Sequence, residues 1–461
     1  MRIIVVGGGI SGLTAAFRLR QRRPDAAITV LEAGPRLGGA VQTERTADGA
    51  ILELGPDSII RAKPAGIALI KDLGLEAKLQ DTEPTARRSF IARGHRLVPV
   101  PEGLYLMAPG KLWPFAFSPI MSLRGKLRMA KDLLIPPGNG GDESLGSFVR
   151  RRLGQEALDR IAQPLVGGIY TADPEKLSLA ATMPQFLEME QQYGSMLRAM
   201  RAKTADGQQA KASGPRYGLF ATLQGGLHVL VETLAERLRA SGVDLLTNQT
   251  VTGVRRGEDG RYVVHLNGSV LGADAVVLAQ PAWAAAAVLR DLDPGLSAQL
   301  GSIAYASVAT VNLVYPEGQA ALPAGAGFVV PAIEGRSLLA LTFSSRKYGG
   351  RTPAGRAVVR AFVGGALHGH HLDRDDDAMV AAVRADLADL LKIHGAPERV
   401  IVSRWPRAMA QYHLGHLDLV KSIRAGEKTH SGLALIGNGF EGVGIPDLVA
   451  QATAAAMRLA P

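Results

Sequence analysis

The amino-terminal segment is the feature that most restricts what this chain can fold into. Arg2 to Val6 is a short β-branched run without alternation, which is typical of a parallel strand buried on both faces. Gly7-Gly8-Gly9-Ile10-Ser11-Gly12 then fits the pattern G-x-G-x-x-G, and Leu13 to Arg20 continues as a helix. A second strand, Ala27 to Leu31, ends at Glu32. This order of strand, glycine turn, helix, strand and acid predicts a dinucleotide-binding unit, and both NAD and FAD fit it.

Each glycine of this turn has its own expected role. Gly7 permits the tight turn, Gly9 lets the backbone approach a pyrophosphate, and Gly12 allows the helix to pack closely on the strand. The amino terminus of the helix offers free N–H groups to the phosphates. Glu32 is placed to accept hydrogen bonds from both ribose hydroxyls, which predicts a ribose without a 2′-phosphate.

Composition narrows the remaining possibilities. A chain of 461 residues with 47% hydrophobic and 20% charged residues predicts two or three globular domains. Because the chain has no Cys, disulfides, Cys-ligated zinc, iron–sulfur clusters and thiol catalysis are excluded. The net charge of +10 suits acidic partners, but only 5% of residues are aromatic and no stacking motif accompanies the basic ones, so nucleic acid is not expected. We find no signal peptide and no bilayer-spanning stretch, and we expect a cytoplasmic protein.

Three further segments resemble a known superfamily. Glu32 to Gly39, read as E-x-x-x-R-x-G-G, resembles the second fingerprint of the flavin-dependent amine oxidases and desaturases, and this favours FAD over NAD. Glu53 to Asp57 resembles the segment whose backbone passes the flavin ring in that superfamily. Leu433 to Asp447 is a buried strand that breaks into glycines before the helix Leu448 to Leu459. In the superfamily, the matching helix points at the pyrimidine end of the isoalloxazine.

Within that superfamily, the chain resembles the protoporphyrinogen/coproporphyrinogen oxidase family. The most particular matches are LVGGIYTADPEKLSLAATMPQ, residues 165–185, and FATLQGGLHVLVETLA, residues 220–235. IGNGFEGVGIPDLV, residues 436–449, also resembles the family but is shared in outline with relatives that act on amines or carotenoids. The resemblance implies oxidation of a porphyrinogen to the porphyrin of haem biosynthesis. Three hydride transfers to flavin N5 are implied, with oxygen as acceptor and hydrogen peroxide as product. A flavin amine oxidase or a carotenoid-type desaturase is the alternative.

The fold implied is α/β, with a discontinuous Rossmann-like FAD domain, a mixed α+β substrate domain and a mainly helical insertion. We assign residues 1–83, 217–290 and 425–461 to the FAD domain and residues 84–200 to the insertion. Residues 291–424 are assigned to the substrate domain, with a mostly antiparallel sheet plus helices. Residues 201–216 are polar and lack periodicity, and they predict an exposed loop.

The resemblance also implies roles for individual residues. Gly168 would lie beside the flavin with its carbonyl near the reacting carbon, and Arg88 would pair with a propionate, although neighbouring Arg87 and Arg93 are alternatives. Ala326 and Val329 would contact the macrocycle, with Ala326 where the family usually has an aromatic residue. The residues expected to contact FAD are Gly7, Gly8, Gly9, Ile10, Ser11, Gly12, Glu32, Ala33, Arg36, Gly38, Gly39, Ala40, Gly55, Pro56, Asp57, Val251, Trp405, Asn438, Val443, Gly444 and Ile445.

Other patterns bear on partners. His368, His370 and His371 are too closely spaced for a shaped catalytic site, so we expect no metal. The apolar run Trp113 to Phe117 precedes basic residues at helical spacing, which are Arg124, Lys126, Arg128 and Lys131. This combination suits a peripheral contact with the inner face of the cell membrane, the alternative being that the aromatics line a substrate pocket or fill a core. The expected partners are the porphyrinogen, molecular oxygen and, by handover of product, the next haem-pathway enzyme.

Overall fold

A computed structural model describes residues 1–205 and 220–460 of the chain. The strands are β1 Arg2–Val6, β2 Ala27–Leu31, β3 Thr43–Arg45, β4 Ile51–Glu53, β5 Ile59–Ile60, β6 Leu79–Asp81, β7 Ser89–Arg93, β8 Arg96–Pro99, β9 Leu104–Tyr105, β10 Ala108–Pro109, β11 Phe220–Leu223, β12 Asp244–Leu246, β13 Val251–Arg256, β14 Tyr262–Leu266, β15 Ser269–Ala273, β16 Ala275–Leu278, β17 Tyr305–Pro316, β18 Gly327–Val329, β19 Leu338–Thr342, β20 Arg356–Gly364, β21 Arg399–Ala410 and β22 Leu433–Leu435. The α-helices are α1 Ile10–Arg22, α2 Pro64–Asp72, α3 Leu112–Phe117, α4 Leu123–Ala130, α5 Leu145–Arg152, α6 Gln155–Ala157, α7 Gln163–Tyr170, α8 Leu179–Thr182, α9 Pro184–Tyr193, α10 Met196–Ala205, α11 His228–Ala240, α12 Ala282–Leu289, α13 Pro294–Gly301, α14 Ser344–Lys347, α15 Asp376–Leu391, α16 His416–Thr429 and α17 Ile445–Leu459.

A five-stranded parallel sheet forms the nucleotide-binding half of the molecule. Its order is β12-β2-β1-β16-β22, so strands far apart in the chain lie side by side. Helices α1, α2, α11 and α17 bury their apolar residues against one face. Strands β13 to β15 and helices α12, α13 and α16 cover the other face. Because both faces are buried, β1 reads as a continuous apolar run after Arg2.

A seven-stranded sheet forms the second half. Its order is β21-β17-β20-β19-β18-β7-β8, and every neighbouring pair is antiparallel except the parallel pair β18 and β7. Helix α15 packs on one face of this sheet with the apolar residues of β20 and β17. Helix α7 lies against the other face at β18 and β19.

The third unit is a helical region, α3 to α10, with its own apolar core. A buried ion pair fixes it: Arg152 and Asp132 are fully buried, and their side chains approach to 2.6 Å. Arg152 also donates to the carbonyls of Ile135 and Gly194, at 2.8 and 2.7 Å. The guanidinium therefore ties α5 to two connecting segments of the helical region.

The α/β fold class is confirmed, with sheets and helices arranged as in flavin-binding structures. Among the predicted elements, the strands Arg2 to Val6 and Ala27 to Leu31 coincide with β1 and β2. Within the described residues, none of the helices has both the length and the apolar character needed to cross a bilayer.

Two of the predicted segments differ from the structure. Residues 84–200 are mainly helical from α3 onwards, but Ser89–Arg93 and Arg96–Pro99 at the start of this segment are strands β7 and β8 at the edge of the seven-stranded sheet. The parallel partner of β7 is β18, more than two hundred residues away, so no local pattern reveals the pairing. Residues 201–205 belong to helix α10 rather than to a loop. The remainder of the predicted loop, 206–216, lies outside the described residues.

The observed packing also crosses the predicted domain boundaries. Helix α13 and most of helix α16 lie within residues 291–424, which were assigned to the substrate domain. Both helices nevertheless pack in the core on the nucleotide sheet. The domain assignment remains a prediction at these boundaries.

Candidate active site

The first glycine turn and Glu32 meet at the carboxyl edge of the parallel sheet. The Glu32 carboxylate accepts the N–H of Gly8 at 2.8 Å through one oxygen and the N–H of Gly34 at 2.8 Å through the other. Val251 begins β13 nearby and is buried with the apolar residues of β1 and β2. The predicted ribose-binding acid is thus held in a fixed orientation beside the start of helix α1.

The glycines at this edge differ in what surrounds them. A Cβ at Gly12 would come within 1.9 Å of the Gly7 carbonyl oxygen, so only glycine permits this packing of helix on strand. A Cβ at Gly9 would meet only the Cα of Gly39, at 3.8 Å. Gly9 and Gly39 therefore line a track that protein side chains leave open, directly over the amino terminus of α1. Such a track fits a pyrophosphate approached by backbone alone.

Arg36 supplies positive charge at the same edge. Its side chain is partly buried, and in the described part of the chain it contacts no carboxylate directly; its one hydrogen bond, at 3.4 Å, is to the Leu37 carbonyl. Burial lowers the pKa of Arg36, and the charge of Glu32 opposes this effect. A partly buried guanidinium without an ion pair is stabilised by an anion, as the superfamily resemblance implies. Ala33, Gly38 and Ala40 complete the predicted segment around it.

Side chains of the seven-stranded sheet hold the segment that contains Gly55. Arg360 donates to the carbonyl of Gly55 at 2.7 Å and to that of Glu53 at 3.2 Å. The carbonyl of Leu54 accepts from the Thr310 hydroxyl at 2.7 Å and the Trp405 indole at 3.0 Å. Trp405 thus has a direct contact with this segment. These bonds hold the carbonyls of the segment against the side chains of the seven-stranded sheet.

The carboxyl-terminal glycine segment is held by tyrosine hydroxyls. Tyr412 donates to the carbonyl of Asn438 at 2.8 Å, and its hydroxyl accepts the N–H of Gly442 at 2.9 Å. The Asn438 amide donates to the Ala408 carbonyl at 2.7 Å and accepts from Tyr305 at 3.2 Å. The side chain of Asn438 and its carbonyl are therefore engaged by protein groups, which leaves its backbone N–H for a contact with FAD.

Helix α17 starts directly after this segment. Its N-cap residue is Gly444, which lacks a side chain, and the Asp447 carboxylate accepts the Gly444 N–H at 3.2 Å. Ile445 is buried in the core of the nucleotide-binding half, whereas Val443 packs against the helical region. The helix terminus therefore lies where the two units meet.

Two of the residues predicted to contact the substrate, Gly168 and Val329, lie against each other. Gly168 is an exposed residue in the last turn of α7, and a Cβ there would approach only Val329, at 3.4 Å. Among the described residues, the Val329 side chain of β18 is thus the only side chain close to Gly168, and the backbone of α7 is otherwise uncovered at this point. Carbonyls of the last helical turn lack intrahelical partners, so that of Gly168 can face a ligand.

The predicted arginines lie on different faces of β7. Ile91 packs in the core of the helical region, on the side of Val329 and α7, whereas Phe90 packs on the opposite side under α15. Arg88 is exposed in extended backbone, so strand alternation places it on the side of Phe90. Arg93 falls on the side of Ile91 and Val329. Ala326 is buried beside Arg88 and donates its N–H to the Arg88 carbonyl at 2.8 Å.

The structure adds residues that the sequence analysis did not identify. Lys347 and Arg360 both contact the carboxylate of Asp57, at 2.9 and 3.0 Å. Arg360 could have been noticed in the sequence, since it is the one charged residue after Arg356 in the otherwise apolar strand β20. Lys347 had none, because its burial depends on Asp57, 290 residues earlier in the chain.

Among the described residues, no group of three or more metal-binding side chains has the geometry of a metal site. His368, His370 and His371 stack on one another instead, with centroids 4.1 to 6.3 Å apart.

A dinucleotide-binding edge of this kind, with the Gly55 segment held by a second sheet, is typical of a flavin-dependent oxidoreductase. Sequence comparison agrees: the chain matches the family described as flavin-containing amine oxidoreductase over residues 10–460. The chain belongs to this family. It is an oxidoreductase, and FAD is its cofactor.

The most similar relatives include porphyrinogen oxidases. The chain is 36% identical to coproporphyrinogen III oxidase of Bacillus subtilis (strain 168), over 98% of this chain and 96% of the relative. It is 34% identical to coproporphyrinogen III oxidase of Staphylococcus aureus, over 98% of each chain. Protoporphyrinogen oxidase 1 of Arabidopsis thaliana chloroplasts is 31% identical, over 96% of this chain and 84% of the relative.

Solved structures give the same fold. A crystal structure from Exiguobacterium sp. 255-15, provisionally assigned as a protoporphyrinogen oxidase, superposes with a TM-score of 0.89 at 32% identity, covering 100% of this chain and 98% of that one. A cyclohexylamine oxidase from Brevibacterium oxydans has a TM-score of 0.71 at 17% identity, covering 100% and 98%. The second similarity concerns the fold alone.

Proposed function

We propose that this enzyme oxidises a porphyrinogen, and specifically coproporphyrinogen III, to the corresponding porphyrin. The observation that carries the proposal is the exposed backbone of Gly168 on α7, where Val329 is the one described side chain nearby and a flat macrocycle can approach the helix closely. The relatives named coproporphyrinogen III oxidase and protoporphyrinogen oxidase, aligned over nearly the whole chain, support the same substrate class.

The residues around Gly168 suit the binding and positioning of a porphyrinogen. Bound FAD supplies a hydride acceptor that oxygen regenerates, with hydrogen peroxide as the product. Gly168 admits the macrocycle edge close to helix α7, while the half-buried Val329 offers an apolar contact to its face. Holding one meso carbon in a fixed position reduces the entropic cost of the transfer, and the apolar walls exclude water.

Unpaired arginines support a substrate with several carboxylates. Arg87, Arg88 and Arg93 each lack an ion pair and a side-chain hydrogen bond within the described residues. Arg93 lies on the Val329 side of β7, two residues from Ile91 and thus about 7 Å along the strand. We assign the first propionate contact to Arg93, with Arg88 as the alternative at the sheet end beside Ala326. Coproporphyrinogen III carries four propionates where protoporphyrinogen IX carries two, so it benefits more from such cations.

The test is an anaerobic half-reaction of the purified holoenzyme. Coproporphyrinogen III, protoporphyrinogen IX and a polyamine are mixed separately with the enzyme, and the flavin absorbance is followed by stopped flow. We expect coproporphyrinogen III to bleach the flavin fastest and to yield fluorescent coproporphyrin. Reduction by the polyamine alone would overturn the proposal in favour of an amine oxidase.

We also propose a peripheral membrane contact through α3, α4 and the turn that follows, a surface we call the α3–α4 face. Its large apolar side chains are exposed, with Trp113 at 76%, Phe117 at 80% and Leu134 at 85% of their surfaces accessible. The rings of Trp113 and Phe117 stack at 6.0 Å. Arg124 and Lys131 lie exposed within the same surface. Aromatic and basic groups together fit the interface of an anionic bilayer.

Vesicle co-sedimentation tests this contact. The wild type is expected to bind phosphatidylglycerol vesicles and to bind phosphatidylcholine vesicles weakly, and Trp113→Ser with Phe117→Ser should abolish the difference. Leu417→Ser is the matched control, because Leu417 is also exposed, at 52%, but lies on α16. Equal binding of wild type and double variant would contradict the contact. Handover of the porphyrin to the next haem-pathway enzyme remains a prediction.

A further inference from the structure

Asp57, Lys347 and Arg360 form a buried triad between the two sheets. Lys347 Nζ lies 2.9 Å from both carboxylate oxygens of Asp57, and Arg360 lies 3.0 Å from one of them. Lys347 also donates to the Ser58 hydroxyl at 2.8 Å. Only 11%, 4% and 15% of the side chains of Lys347, Arg360 and Asp57 are exposed, so water screens these charges poorly.

The ionisation of the triad follows from its contacts. Burial alone would raise the pKa of the Asp57 carboxyl, but Lys347 and Arg360 hold it well below its usual range. Burial lowers the pKa of Lys347, and the charge of Asp57 opposes this effect. Two cations thus share one carboxylate. The neighbouring pair of Arg351 and Glu53, at 2.7 Å, is balanced within itself.

The triad is joined directly to the Gly55 segment. The Arg360 guanidinium that contacts Asp57 also donates to the carbonyls of Gly55 and Glu53. A Cβ at Gly55 would come within 1.9 Å of the Ala40 carbonyl oxygen, so this segment is packed against the second fingerprint as well. The triad therefore lies immediately behind the backbone that the sequence resemblance places against the flavin ring.

We propose that the Asp57–Lys347–Arg360 triad, with a net charge of +1, positions the Gly55 segment and raises the reduction potential of the bound FAD. Reduction places negative charge on the isoalloxazine, and a fixed cation in a poorly hydrated interior stabilises that charge strongly. The inference requires FAD binding but not the proposed porphyrinogen, so it can fail or succeed independently of the substrate.

The test is the midpoint potential of the FAD-loaded protein, measured by dye equilibration, together with the dissociation constant of FAD. Lys347→Met removes a positive charge and should lower the potential by about 30 mV or more, which corresponds to a tenfold loss of preference for reduced over oxidised flavin in a two-electron couple. Asp57→Asn removes a negative charge and should shift the potential in the opposite direction. Lys347→Arg keeps the charge and should stay close to the wild type.

Potential shifts of opposite sign in Lys347→Met and Asp57→Asn distinguish an effect of charge from an effect of structure. Loosening of the Gly55 segment alone would shift the potential of both variants in the same direction. Arg336→Met is the matched control, since Arg336 pairs with Asp386 and Asp389 near α15 and should leave the potential unchanged. Shifts of the same sign, or no shift in Lys347→Met and Asp57→Asn, would overturn the proposal. If Lys347→Met does not retain FAD, the other two variants decide. The proposal then requires a raised reduction potential in Asp57→Asn and an unchanged potential in Lys347→Arg. Any other result for these two variants would overturn the proposal.

Discussion

At the scale of single residues, Gly9 and Gly12 perform different tasks in the same turn. A side chain at Gly12 collides with the Gly7 carbonyl, whereas one at Gly9 enters only the open track beside Gly39. We predict that Gly9→Ala folds with nearly the wild-type melting temperature in the absence of FAD but binds FAD at least about tenfold more weakly. Gly12→Ala should destabilise the apoprotein by about 1–3 kcal/mol. Thermal unfolding and FAD titration of both variants check this, and wild-type FAD affinity in Gly9→Ala would contradict it.

The arginines of β7 supply a second test at this scale. Arg93→Gln should raise KM for coproporphyrinogen III about ten- to a hundredfold with little change in kcat, as expected for the loss of one charged hydrogen bond of about 1.5–3 kcal/mol. Arg87→Gln, which alters an exposed residue of the same cluster, serves as the comparison and should have a small effect. Steady-state kinetics of the three variants check this prediction. A large increase of KM in Arg88→Gln, together with an unchanged KM in Arg93→Gln, would contradict it and would identify Arg88 as the propionate partner.

Residue roles were predictable from the sequence where the contacts are local. The spacing from Gly7 to Glu32 fixes a turn, a helix and an acid within one unit, and the structure joins Glu32 to Gly8 as this pattern requires. The face on which Arg88 or Arg93 lies depends on the register of β7 with β18, which no local pattern contains. The contact of Lys347 with Asp57 likewise arises only after the two sheets pack together.

At the scale of elements, helix α5 depends on the buried pair of Arg152 and Asp132. Arg152→Met leaves Asp132 as an uncompensated buried charge and should lower the free energy of unfolding by about 3–5 kcal/mol. Arg150→Met, in the same helix turn, removes a solvent-exposed pair with Glu175 and should cost less than about 1 kcal/mol. Urea unfolding of the two variants measures the difference. Equal stabilities would show that the buried pair does not hold the helical region together.

Elements with strong local patterns were predicted well and edge strands were not. The β-branched runs Arg2 to Val6 and Ala27 to Leu31 match β1 and β2. Strands β7 and β8 are short, and their sheet membership depends on a distant partner. Strand β16 joins the nucleotide sheet beside β1, and its unbroken apolar run has the character of a parallel strand buried on both faces.

At the scale of the whole molecule, stability should decrease under mild acid. Burial lowers the pKa of His368, His371, His413 and His416. Their unfolded pKa is about 6.5, so below that pH the unfolded chain binds protons that the folded protein does not. The free energy of unfolding should therefore fall as the pH drops from 7.5 towards 5, by at most about 1.4 kcal/mol per pH unit for each histidine.

Denaturant unfolding at pH 7.5, 6.5 and 5.5 checks this dependence. His416→Asn should reduce the slope, because His416 is buried and bonded to the Phe440 carbonyl at 3.0 Å. His394→Asn alters an exposed histidine and is expected to leave the slope as it is. Stability that rises between pH 7.5 and 5.5 would contradict the prediction.

We infer that FAD lies along the carboxyl edge of the parallel sheet and that a porphyrinogen binds beside Gly168. The most direct measurement is an anaerobic titration of the holoenzyme with coproporphyrinogen III. Because one porphyrinogen releases three electron pairs, about one third of an equivalent should bleach the flavin completely, with coproporphyrin as the product. If the flavin absorbance persists in excess coproporphyrinogen III but is bleached by another electron donor, the inferred substrate and its binding site are wrong.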